Sequence, residues 1–125
     1  MSDEKKIYDL EERTFLFAQA VRKFIKQLPR TISNNEDCKQ VTRASASVGA
    51  NYIEANENLG TKDFRMHIKI SRKESKESRF FLRLVDTEDN DTLEKERAIL
   101  IQKSTELMLI FGSIVRKTET TKESV

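Results

Sequence analysis

KDFRMHIKISRKESKESRFFLR, Lys62 to Arg83, decides how the chain is read. Its cations fall at Lys62, Arg65, Lys69, Arg72, Lys76, Arg79 and Arg83, in alternating steps of three and four. That is helical spacing, and it sorts the apolar residues as well. Advanced by about 100° per residue, Phe64, Ile68, Ser71, Ser75, Ser78, Leu82 and Val85 share one face, the expected core face. The cations, with Lys73 beside them, occupy a neighbouring sector. Met66, Ile70, Phe81 and Leu84 fall on a third side, as a second apolar patch.

Three further helices are expected around this one. The first runs over 9–28, from an Asp9 N-cap with Glu12 in capping spacing to Leu28, where Pro29 stops it. The second runs over 35–57 and follows Ser33 and Glu36 at capping-box spacing. The helix holding the opening stretch covers 61–85, with Gly60 and Thr61 at its start. The fourth covers 92–117, after the polar run DTEDND, and leaves 118–125 as a frayed tail. Connections of about four to six residues force consecutive helices to lie antiparallel. The expectation for 1–125 is therefore a single all-α domain, an up-down-up-down four-helix bundle.

Composition agrees. With 125 residues, 35% of them charged, three glycines and one proline, there are too few turn residues for an all-β fold. No apolar run approaching the roughly 20 residues of a spanning helix stands out, so no membrane role is expected. The acidic, mixed start MSDEKKIYDLEER does not resemble a signal peptide. A single Cys38 fits a reducing compartment, and a cytoplasmic location is expected.

The net charge of +2 conceals an asymmetry. Residues 1–37 balance, with seven basic and seven acidic groups, while residues 38–85 hold ten basic and five acidic. Residues 86–125 hold six basic and nine acidic. Like charges four apart on a helix repel by about 0.2–0.5 kcal/mol a pair, so the stripe needs a partner. The chain's own acids offer one answer: DTEDND and Glu94 for Arg79 and Arg83, Glu54 and Glu57 for Lys62. Within the helix only Asp63, Glu74 and Glu77 oppose eight basic residues, and the middle of the stripe, Lys69 to Lys76, has no obvious partner on an adjacent element. Phosphates of RNA or DNA offer the other answer, through counterion release. Both stay open. No aromatic residue is expected among the cations, so base stacking is not indicated.

The second helix carries RASASVGANYIEA, whose small side chains suit a close approach to Ser71, Ser75 and Ser78. Surplus apolar residues, Met66, Ile70, Phe81 and Leu84 together with Leu109 and Ile110 in LMLIF, point to a homo-oligomer interface. Catalysis has little support. One histidine, His67, cannot serve a Ser45 or Ser47 nucleophile together with a di-iron or zinc set. Two E-x-x-E pairs, Glu54 with Glu57 and Glu74 with Glu77, have the look of a Mg²⁺ site in all-α nucleotide pyrophosphohydrolases. That is the only enzymatic alternative; no cofactor is expected.

LP at Leu28, QVTRASASVGANYIEA from Gln40, KDF from Lys62 and ISRKESKESRFFLRLV from Ile70 resemble the four-helix-bundle family of 23S rRNA intervening sequence proteins. Arg43, Ser47, Asn51 and Glu54 match its R-x-x-x-S-x-x-x-N-x-x-E pattern, and Lys73, Glu74 and Glu77 match its K-E-x-x-E. The resemblance implies a ring-shaped homopentamer without established enzymatic activity. It also implies kinship to the accessory protein of diversity-generating retroelements, which looks like a basic pentameric barrel binding nucleic acid and a reverse transcriptase. On that resemblance Glu54, Glu74 and Glu77 are packing and hydrogen-bond anchors.

Overall fold

A computed structural model describes the backbone of residues 3–57 and 60–123 and the side chains of 10–57 and 60–119. It contains four helices, α1 (Asp3–Ile25), α2 (Ile32–Glu57), α3 (Thr61–Leu84) and α4 (Asp91–Glu123), and no strand among the described residues. Consecutive helices run antiparallel, as cross-pairs reveal. Asn51 late in α2 meets His67 early in α3, and Lys69 early in α3 meets Glu119 late in α4. Gln27, just past α1, donates to Glu96 near the start of α4 at 3.0 Å. The helices close a ring in chain order, with α1 and α4 meeting least closely and, among the described residues, no close backbone approach between α1 and α3.

Helix ends differ from the sequence-based boundaries, because local patterns compete. Helix α1 begins at Asp3, so Asp9 lies inside it rather than at its start; its side chain is outside the described residues. It ends at Ile25 rather than Leu28, through tightened bonds from the Gln27 and Leu28 amides to the Phe24 and Ile25 carbonyls. Thr31, not Ser33, caps α2, its Oγ1 accepting from the Asn34 amide at 3.1 Å. Gly60 precedes α3 with no side-chain cap, and Asn90 rather than Asp91 caps α4. The expected frayed tail is helical to Glu123; residues 124 and 125 lie outside the described residues. Glu88 and Asp89 both take left-handed backbone, at φ 53° and 59°, in the loop before α4.

The core is one cluster of Val21, Phe24, Val41, Val48, Ile68, Leu82 and Phe111 with their neighbours. Between α2 and α3 it narrows to small residues. Ala44 and Ser45 lie against Ser71, Ser75 and Ser78, all fully buried. Each hydroxyl finds a carbonyl, which is what makes its burial tolerable. Ser71 Oγ donates across the seam to the Val48 carbonyl at 2.9 Å, while Ser75 and Ser78 donate back along α3 at 2.8 Å each. Gly49 has a similar reason on the α1 side. A Cβ there would sit 2.8 Å from Thr14 Oγ1, too close for any larger residue without movement.

Helix α4 contradicts one expectation. Its stretch Asp91–Glu119 holds an 18-residue window of mean hydropathy 1.5, long and apolar enough by length and composition to cross a bilayer. About a third of that window is buried against the bundle, through Leu100, Leu107, Phe111 and Val115, while Ile99 and Leu109 remain exposed.

A tie that sequence patterns did not reveal closes one end. Asn34, 1% exposed, donates to the carbonyls of Pro29 and Asp86 at 2.9 Å and accepts the Asp86 amide at 2.9 Å. One side chain thereby holds both interhelical loops at that end. Asn34→Ala should cost about 2–3 kcal/mol in urea unfolding, because it strands buried backbone groups; a cost under 0.5 kcal/mol would mean water replaces the amide without loss.

Candidate nucleic-acid interface

The cations of α3 emerge along its outer side, toward α4. Lys62, Lys69, Arg72, Lys73, Lys76 and Arg83 are exposed; Arg65 and Arg79 are half-buried. Among the described residues only Lys69 of the stripe reaches a carboxylate on another helix, Glu119 at 3.8 Å. Lys73 lies 3.9 Å from its chain neighbour Glu74. Among the described residues no carboxylate comes within ion-pair distance of Lys62, Arg65, Arg72, Lys76, Arg79 or Arg83. Arg79 Nε is buried without an acceptor among the described residues.

The acids expected to neutralise the stripe are occupied or distant. Asp86 accepts the Glu88 amide at 2.8 Å, a bond that shapes the loop. Glu94 binds Thr87 and Arg97, one turn along α4. Glu54 and Glu57 are exposed and form no ion pair with Lys62. Among the described residues, self-neutralisation by the chain's own acids is therefore limited to the Lys69 and Lys73 contacts.

Two features of this surface escaped the sequence reading. Phe80 stands 54% exposed four residues after Lys76 and three before Arg83, so an aromatic ring does interleave with the cations. The signal is its helical angle, one turn from both Lys76 and Arg83. Arg116 of α4 is the second. Its Nη1 and the Arg72 Cδ lie 3.4 and 3.8 Å from where Gly112 would carry a Cβ, so two guanidinium side chains converge over that glycine.

The family-motif residues form a separate ladder on the opposite flank of α3. Arg43 donates to Glu74 Oε2 at 3.2 Å and to Glu77 Oε2 at 3.0 Å. Asn51 Nδ2 donates to the Ser47 hydroxyl and carbonyl, each at 3.0 Å, and its Oδ1 meets His67 Nδ1 at 3.1 Å. Glu54 departs from its expected anchoring role: it points to solvent with no hydrogen bond among the described residues. The two E-x-x-E pairs do not converge, and no group of three or more potential ligands forms a metal site among the described residues. Burial pushes the Glu74 carboxyl up from its ordinary value, with the Glu77 charge adding to the effect. The hydrogen bond from Arg43 holds Glu77 below its own. Burial likewise raises the Cys38 thiol, which favours its neutral form.

The interface candidates divide. Met66 and Leu84 on α3 are exposed and Ile70 is half-buried, on the α2 side of the helix. Leu109, 60% exposed, faces outward from α4. Phe81 and Ile110 instead pack against the core, because they lie toward a neighbouring helix of the same chain. A further apolar groove runs between α1 and α4, lined by Leu16, Ala20 and Ile99 with Arg13 and Lys103 at its rim.

A four-helix all-α chain with a small-residue seam and this ladder defines a class of small bundle proteins. Residues 7–111 match the sequence model of the 23S rRNA-intervening sequence protein family, and the chain belongs to that family. It is similar in structure to a protein of unknown function from the S23 ribosomal protein family of Bacteroides thetaiotaomicron. The TM-score is 0.71 at 23% identity, covering 85% of this chain and 97% of the other. No protein with a curated description matches the chain.

The ladder generates opposite pH dependences. A raised Glu74 stabilises the fold fully at low pH, and this contribution is lost as pH climbs from about 4.5 through its raised value. The lowered Glu77 contributes above about 4.5, and that stability is lost as pH falls through its depressed value. Urea unfolding should therefore show Glu74→Gln gaining on the wild type as pH rises from about 4.5 toward 7, and Glu77→Gln falling behind at lower pH, as pH rises toward about 4.5, with a constant offset above it. Constant offsets across pH would contradict this account.

Proposed function

We propose that the chain is a cytoplasmic, non-enzymatic binding or scaffold protein that grips nucleic-acid backbone through the cationic stripe of α3. The observation that carries this reading is the exposure of the stripe while nearby acids serve loop and capping roles. A row of Lys and Arg at each helical turn, joined by Arg116 from α4, suits phosphates and releases counterions on binding.

We infer that it acts as a homo-oligomer, a ring-shaped pentamer. The support is physical as well as familial. Met66 and Leu84 on one side, and Leu16, Ile99 and Leu109 on others, are exposed apolar residues on separate surfaces of one chain. A two-fold dimer needs one self-complementary patch, whereas a head-to-tail ring needs two different ones. The ring would repeat the stripe around its circumference and multiply a weak individual contact. A protein partner in place of nucleic acid is the competing reading, favoured by the same apolar exposure.

Fluorescent RNA and DNA, single-stranded and duplex, titrated at several salt concentrations, test the stripe. Affinity should fall with salt, and Arg72→Glu, Lys76→Glu, Arg83→Glu together should weaken binding by about tenfold or more. Absence of binding at low salt would turn the search to a protein partner. Light scattering tests the assembly: a mass of five chains is expected, reduced by Leu84→Asp, and a monomer would overturn the ring.

A further inference from the structure

Phe80 makes the stripe more than a row of charges. Its ring is 54% exposed, and of its four neighbours one turn away two are cations, Lys76 before and Arg83 after, while Glu77, paired to Arg43, and the exposed Leu84 lie on its other flank. The ring is also held. It meets Phe81 edge to face, with centroids 5.2 Å apart and planes at 83°, and Phe81 is packed against the core. A rigid aromatic face therefore stands in the middle of a phosphate-binding row.

From this juxtaposition we infer that the stripe takes single-stranded polynucleotide, with an unpaired base stacked on Phe80 and its flanking phosphates on Lys76 and Arg83. The inference rests on the proposed phosphate-binding reading of α3 and narrows it. Duplexes keep their bases stacked on one another and offer Phe80 only backbone, whereas every unpaired base has a face to give. Leu84, one turn after Phe80, belongs to the proposed subunit contact, so the ring stands at the border of that contact, but a contact reaching onto the ring itself explains Phe80 less well. A neighbouring chain pressed onto the ring would have to desolvate Lys76 and Arg83 as well, neither of which has a carboxylate at ion-pair distance among the described residues.

The test compares wild-type protein, Phe80→Ala and Phe80→Trp on three probes of equal phosphate count. These are a single-stranded RNA, a single-stranded DNA and a DNA strand of abasic sites, titrated at two salt concentrations. Wild type should bind the base-bearing strands about tenfold more tightly than the abasic one. Phe80→Ala should lose that margin while keeping its salt dependence, and Phe80→Trp should retain it. Comparable affinity for all three probes in the wild type would overturn stacking and leave the phosphate track standing. No binding by the wild type to any probe would remove the track, and stacking with it. A reduced oligomeric mass for Phe80→Ala, with Phe80→Trp restoring it, would make the ring a subunit contact and overturn the inference. Preference for the RNA or the DNA strand identifies which sugar the surface accommodates.

Discussion

The close approach of α2 and α3 is the constraint on which the rest depends. Ser45, Ser71, Ser75 and Ser78 are small enough to bring the two helices together, and each is left with a hydroxyl that must be satisfied away from water. The Ser71 bond to the Val48 carbonyl spends one of those hydroxyls across the seam and fixes the helices in register. With that register set, Arg43 comes level with Glu74 and Glu77, and Asn51 with His67. The ladder on this flank is thus a consequence of the seam. It uses the charges of α3 that face α2 and leaves the remainder pointing the other way.

That remainder is the cationic stripe, and its exposure follows from what the acids are already doing. An acidic loop beside a basic helix end looks like a neutralising pair when only the sequence is considered. In the folded chain Asp86 bonds the Glu88 amide, Asn90 caps α4 and Glu94 holds Arg97 and Thr87. Two consecutive left-handed residues, Glu88 and Asp89, turn the loop so that these short-range bonds can form. Local bonds within a turn win here because they order few side chains, whereas reaching back to Arg79 or Arg83 would immobilise two long ones for a solvent-exposed pair.

The apolar surplus divides along the same physical line. Phe81 and Ile110 lie toward neighbouring helices and are absorbed by the core. Met66, Leu84 and Leu109 lie farther round their helices and remain outside. The sequence showed a surplus on α3 and α4 but could not say which residues the bundle itself would consume. It also gave too little weight to Phe80, whose exposure follows from a turn of one residue, about 100°, away from Phe81.

By itself the sequence determined the four helices, their order and antiparallel packing, the core face of α3 and the family to which the chain belongs. Helical periodicity and short connections are local properties, so they survive without coordinates. Only the tertiary structure decided which of several competing caps each helix uses, that Asn34 ties two loops together, that Gly49 is required by Thr14, and that Arg116 joins Arg72. It also decided that the acids near the stripe are engaged elsewhere. Those outcomes depend on distances between residues far apart in the chain. A side chain with several possible partners takes the one that packing brings within hydrogen-bond reach, and periodicity holds no record of that choice.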